Sequence, residues 1–321
     1  MSYKNSVKLF SSNFNLVWKQ LAFGCACSVL VVLLSLLLAL PTIRLLQAEN
    51  WFETFNNLFK VVYTTPVEIN ATFKDIISSL ANILSANFDS YWFSYIGFCL
   101  CAIILPMFLA GISRYTLCVL INNKISSLAS VGYTNTLITN IGKASIYSLI
   151  KLLIDLAFSI VIGLLFCLYL ILAKGVLLTV LLIVIFLAFA VVLLALKLAL
   201  TSSFAPIMVE EKIGVIKAFR KGVKINFSNF GRTLSNAIVL ILTIIFVNVF
   251  LGVFTIGVGL FLTLPATAVI LSIFMVINYY TITGRRYYLT DSLIVEPKTT
   301  ETKNLENKGN KNDGNNSNTN N

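Results

Sequence analysis

The chain has no histidine, and that one absence removes several chemistries together. Zinc hydrolysis, Ser-His-Asp and Cys-His nucleophilic catalysis, and histidine-ligated haem all need an imidazole. No glycine-rich phosphate loop occurs either, and no carboxylate cluster offers paired acid and base groups. Charge is equally scarce: 12% of the residues are Asp, Glu, Lys or Arg, against about a quarter in ordinary soluble domains. An enzyme is therefore not expected, nor a cofactor, nor a bound metal.

What the chain has instead is apolar length. It is 58% hydrophobic over 321 residues, a composition that places it in the membrane class. Charge-free runs extend from Gln20 to Ile43, Ser90 to Ser113, Gly175 to Leu196 and Thr233 to Gly284. A helix needs roughly 20 apolar residues to cross about 30 Å of hydrocarbon. The last run suits two helices reversing around Gly252, Gly257 and Gly259, and one further span fits between Leu152 and Ala173, interrupted by Asp155. The expected fold is all-α: a polytopic bundle of about six transmembrane helices, near 21–40, 93–113, 152–173, 175–197, 234–252 and 260–281. These form a membrane domain over 1–289, with an outer loop at 41–91. Nothing has the alternation of a barrel strand. The stretch 290–321 is polar and Asn-rich and reads as a disordered tail. The first apolar run is longer than a signal-peptide core and no small-x-small pattern closes it, so it is expected to be retained.

Basic residues set the orientation. With the N-terminus cytoplasmic, every Lys and Arg except Arg44, Lys60, Lys74 and Lys174 falls on the inner side, and Glu49, Glu53, Glu68, Asp75 and Asp89 fall outside. Both termini are then expected to be cytoplasmic. The net charge of +11 calls for no nucleic-acid partner; anionic lipid of the inner leaflet accounts for it.

A short phrase occurs twice: VKLFSSNF at Val7–Phe14 and VKINFSNF at Val223–Phe230. Each copy precedes an outward-going span, and a fainter third lies within Thr136–Lys151. The expected plan is three units, each an interfacial helix followed by a transmembrane hairpin. Ahead of the second copy, Val209, Ile213, Ile216, Phe219 and Val223 recur at helical spacing with Lys212, Lys217, Arg220 and Lys221 between them. This predicts one amphipathic helix over Val209–Lys224 lying in the interface, its apolar face against acyl chains, with Pro206 as a start signal and Glu210 and Glu211 in its first turn. Lys8, Lys217, Arg220, Lys221 and Lys224 are the candidate headgroup contacts. In the outer loop, Trp51 to Val62 and Phe73 to Leu84 form two helical stripes, with Thr72 and Asp75 available as a capping box.

Other candidates are weaker. Cys25-x-Cys27 and Cys99-x-Cys101 put each pair on nearly opposite sides of a helix, so they read as small apolar residues in lipid. Asn70-Ala71-Thr72 fits a glycosylation pattern. Asp155 and Lys197 are the charges placed within spans, near the inner interface, and form a candidate intramembrane pair. They motivate the alternative to a lipid- or partner-organising role: a transporter or channel for a small or lipid-like solute.

The segment FAPIMVEEKIGVIKAFRKGVKINFSNFGRTL, Phe204 to Leu234, resembles the YciC-like family of bacterial inner-membrane proteins, through Ala205, Pro206, Glu210, Glu211, Lys212, Gly214, Arg220 and Asn229. A similar phrase occurs in the membrane region attached to some glycerophosphodiester phosphodiesterases, whose catalytic domain has no counterpart here. The resemblance implies a multi-pass protein of the bacterial cytoplasmic membrane in a family without an assigned activity, and it carries over no catalytic residue. At Lys174-Gly175 the chain departs from the Pro-Gly turn frequent in that family.

Overall fold

A computed structural model describes residues 2–64, 69–129, 131–172, 176–290 and 293–297. The expected 290–321 tail lies almost wholly outside them, as do Pro66 and the Lys174-Gly175 turn. The described chain is helical nearly throughout: α1 (Ser2–Ser12), α2 (Asn15–Ala48), α3 (Trp51–Thr64), α4 (Ile69–Ala86), α5 (Phe88–Cys99), a π-helical segment (Leu100–Ile104), α6 (Leu105–Ser127), α7 (Tyr133–Leu172), α8 (Val176–Thr201), α9 (Phe204–Glu211), α10 (Val215–Ser228), α11 (Phe230–Phe254) and α12 (Leu260–Thr283). A short antiparallel ladder, β1 (Tyr287–Thr290) with β2 (Leu293–Val295), follows. Six helical stretches are long and apolar enough to cross a membrane, so the chain is an all-α polytopic membrane protein.

Several of these helices exceed what a bilayer needs. The stretches Phe88–Ser127 and Tyr133–Leu172 are each 40 residues, about 60 Å at 1.5 Å per residue. The chain accordingly divides into two compact units. One comprises Ala22–Gly111 and Ser148–Leu194. Its long helices expose large apolar side chains such as Leu33, Leu37, Leu153, Leu164 and Leu187, a surface compatible with lipid and not with water. Pro41 lies inside α2 and has no N–H to donate, which disturbs the helix ladder there. Close by, Ser94 Oγ donates to the Leu38 carbonyl at 2.5 Å and lies 2.8 Å from Thr42 Oγ1. The π turn is similarly local: Leu105 N–H bonds the Leu100 carbonyl, immediately before Pro106. α3 and α4 pair as a hairpin. α4 already begins at Ile69, so Thr72 lies inside the helix and the expected Thr72–Asp75 capping box does not form.

The other unit comprises Met1–Leu21, Ile112–Tyr147 and everything from Ala195 onward. Here the ends of the long helices gather with α1, α9, α10, α11 and α12 around a real core. Tyr115, Leu117, Ile125, Tyr147, Phe204, Ile207, Phe274 and Tyr279 are buried. Tyr147 and Phe204 rings meet at 4.8 Å, and Phe204 meets Phe219 edge-on at 5.4 Å. The N-terminal helix is part of this core. α1 turns Ser2, Ser6 and Leu9 inward, and Asn5 Nδ2 donates to Tyr287 OH at 2.7 Å. Burial pushes the Tyr287 phenol pKa upward. The start of the chain and the segment after α12 therefore meet within this unit. α11 reverses into α12 at two of the three expected glycines, Gly257 and Gly259, while Gly252 lies inside α11; Gly257 takes φ 85°, a conformation open to a residue without Cβ.

Candidate functional site

The segment from Ser202 to Asn229 is where the sequence expectation and the structure part company most usefully. α8 ends at Thr201 and α9 starts at Phe204, and the intervening break is held by a buried amide on α10. Asn226 Nδ2 donates to the Leu200 carbonyl at 2.9 Å, while Asn226 Oδ1 accepts from Ser203 Oγ at 2.5 Å. Asn278 Nδ2 of α12 donates to Ser202 Oγ at 3.1 Å. A buried break in a helix leaves polar backbone to be satisfied, and this network does so at Leu200.

The single amphipathic helix expected over Val209–Lys224 does not form. α9 ends at Glu211, Lys212 takes the left-handed conformation at φ 53°, and Gly214 sits extended as the N-cap of α10. Pro206 is the third residue of α9 and not an upstream signal. Glu210 and Glu211 close α9 instead of opening the next helix. The side of α10 that packs on the protein is a different stripe from the apolar one. Its buried residues are Ala218, Gly222 and Asn226, one stripe at i, i+4, i+8. A Cβ on Gly222 would lie 3.3 Å from Phe204 N, a tight contact with backbone that favours glycine where α10 approaches α9. The apolar stripe singled out in the sequence is therefore not the packed one. Ile216 and Phe227 are 64% and 66% exposed, Phe219 and Val223 are half-buried, and Val209 and Ile213 lie off this helix.

Beside that open apolar strip stand Lys217, Arg220, Lys221 and Lys224, all exposed. Their acidic neighbours are already engaged, Glu211 in part by Lys221 itself. Glu211 Oε2 accepts from Lys221 Nζ at 2.6 Å and Oε1 from Tyr279 OH at 2.9 Å. Glu210 Oε1 accepts from Arg285 Nη1 at 2.7 Å and Oε2 from Asn122 Nδ2 at 3.0 Å. Tyr280 OH donates to Asn122 Oδ1 at 3.0 Å, and the Arg285 guanidinium lies over the Tyr279 ring. These contacts join α9 to α6, α10, α12 and the chain just after α12. Glu296, the other described carboxylate of this unit, pairs with Arg286 at 3.0 Å. Among the described residues, Lys8, Lys212, Lys217, Arg220 and Lys224 have no carboxylate partner.

The repeated phrase has a shared geometry. At Asn13 the backbone N–H bonds the Phe10 carbonyl, three residues back, and the side-chain amide donates to the Leu9 carbonyl at 2.9 Å. At Asn229 the N–H bonds Asn226, and the amide donates to Ile225 at 3.3 Å. Both are helix ends where a carbonyl that has lost its i+4 partner is met by the asparagine side chain. Lys8 stands exposed one turn before the Asn13 end, with Phe14 and Trp18 exposed just after it. In the third stretch Asn140 Nδ2 reaches the Thr136 carbonyl at 3.0 Å, but α7 continues without a break. No separate interfacial helix precedes the span there.

Asp155 is buried and accepts a hydrogen bond from Lys151 of its own helix, one turn back. Lys197 lies in α8, where its carbonyl accepts from Thr201 Oγ1 at 2.8 Å. The six cysteines are free thiols, and among the described residues no three metal-ligating side chains cluster. No protein-family model, curated protein or solved structure matches the chain.

The residues that sequence reasoning passed over are Asn122, Gly222, Asn226, Tyr279, Tyr280 and Arg285. Asn226 carried a readable signal, a lone amide at the helical spacing of two small residues, Ala218 and Gly222. The Tyr-Tyr pair ending α12 and the arginine beyond it become informative only once α9 is folded beside them.

Proposed function

We propose that this is a non-enzymatic multi-pass protein of the bacterial cytoplasmic membrane, with both termini cytoplasmic, that uses α10 to hold anionic lipid, with α1 contributing Lys8. Through that contact it organises lipid or partner proteins at the inner leaflet. The observation that carries the reading is on α10: the exposed apolar side chains Ile216 and Phe227 lie beside Lys217, Arg220 and Lys224, which no described carboxylate neutralises. An apolar strip next to a row of cations is the pattern of a helix resting among headgroups, where each base contributes on the order of 1 kcal/mol against an anionic leaflet. The resemblance of Phe204–Leu234 to the YciC-like family supports the membrane assigned, and the distribution of Lys and Arg supports the orientation.

A depth measurement tests it. Phe227→Trp protein, reconstituted in vesicles, is compared with unsubstituted protein for quenching by bromine-labelled acyl chains and by aqueous acrylamide. The added tryptophan is expected to be quenched by the acyl chains, more so in anionic than in zwitterionic vesicles. Quenching by acrylamide alone would contradict the interfacial position of α10.

A further inference from the structure

The bases left available on α10 form a row suited to two phosphates on one molecule. This inference rests on the lipid-facing reading of α10. Lys221 is held by Glu211 at 2.6 Å, which leaves Lys217, Arg220 and Lys224. Arg220 follows Lys217 by three residues and precedes Lys224 by four, so the three lie along one side of the helix, with neighbouring Cβ atoms about 5–6 Å apart. The row extends about 10 Å along the axis at 1.5 Å per residue. Its centre is the guanidinium, whose planar fork takes two oxygens of one phosphate, and an ammonium point charge stands about a turn to either side. Ile216, Val223 and Phe227 run parallel on the flank of the row, the first and last largely exposed. A headgroup with a single phosphate would satisfy Arg220 and leave the lysines to other molecules. Two phosphates joined by a short linker would reach Arg220 and one lysine together, and the second contact then forms at high effective concentration.

We infer that α10 selects a diphosphatidyl lipid, two phosphates bridged by a glycerol, over lipids with a single phosphate, with Arg220 as the specificity-determining residue.

The test uses the full chain in neutral detergent, titrated with tetraoleoyl diphosphatidylglycerol or dioleoyl phosphatidylglycerol at equal phosphate, with bound lipid counted by native mass spectrometry. The unsubstituted protein is expected to prefer the diphosphatidyl lipid by about tenfold per phosphate. Arg220→Lys keeps the charge but loses the fork, and its preference is expected to fall below about threefold. Size-exclusion elution of the variant reports whether it stays folded. Equal binding of the two lipids per phosphate, together with loss of both in a Lys217/Arg220/Lys224 glutamine variant, would overturn the selectivity and leave the lipid-facing reading in place. Undiminished binding in that triple variant would overturn both. An Arg220→Lys protein that keeps the full preference would remove Arg220 from the role.

Discussion

At the residue scale, two positions decide whether α10 can dock at all. Gly222 faces the backbone of Phe204 too closely for a β-branched side chain. Gly222→Val should cost about 2 kcal/mol or more by overpacking, seen as a lower melting temperature in detergent. Asn226 is fully buried, with both ends of its amide engaged. Asn226→Leu keeps the volume but strands the Leu200 carbonyl and the Ser203 hydroxyl, for an expected loss of about 2–3 kcal/mol. In the sequence Gly222 does not stand out, and Asn226 does so only as a lone amide in register with Ala218 and Gly222. Periodicity over 215–228 marks two competing stripes, and the more hydrophobic one, Ile216, Phe219 and Val223, is the one expected to face acyl chains. In a membrane protein the small residues pack against other helices and the large apolar ones can face lipid, so the hydrophobic ranking pointed to lipid contact while Ala218 and Gly222 marked the protein contact. The basic residues, which the sequence marks as candidate headgroup contacts, are exposed on α10.

At the element scale, the repeated phrase is best understood as a way to end one helix and begin another. Asn13 and Asn229 each meet a carbonyl that their own backbone N–H has abandoned. Asn140 makes the same side-chain bond inside an uninterrupted helix. Alanine at Asn13 or Asn229 should therefore destabilise by about 1 kcal/mol, and alanine at Asn140 by a few tenths at most. Comparing the three thermal shifts checks this; equal effects would show that the bond, and not the helix end, sets the cost. Six apolar spans were legible from length and composition. The break between α9 and α10 was not, because it depends on a left-handed Lys212 where no glycine signals it; Gly214 only starts the next helix. The β1–β2 ladder was missed for want of length: four and three residues carry too little alternation to register.

At the scale of the whole molecule, basic charge and helix length fall into one pattern. The unit holding both α1 and the segment after α12 also holds α10 and the ends of the 40-residue helices. Its described carboxylates, Glu210, Glu211 and Glu296, are all ion-paired. The proposed orientation predicts that a membrane-impermeant maleimide labels Lys60→Cys in intact cells but reaches Lys4→Cys only after permeabilisation, in a background with the native cysteines replaced by serine. The reverse pattern would turn the topology over. Glu210 and Glu211 tie α9 to three other helices, so their joint replacement by glutamine should loosen this unit. Loss of half-exposed ion pairs costs up to about 1 kcal/mol each, with more for the Tyr and Asn hydrogen bonds that weaken alongside. A melting temperature unchanged by that double substitution would remove the carboxylates from the fold's support.

On the proposed function, the unpaired bases of α10 hold anionic lipid. Its most direct test is the lipid retained through detergent extraction and size exclusion by the unsubstituted protein and by the Lys217/Arg220/Lys224 glutamine variant, read by native mass spectrometry. Anionic lipid is expected bound to the former and largely absent from the latter, with both eluting as the same folded species. Equal retention by the two proteins would contradict it.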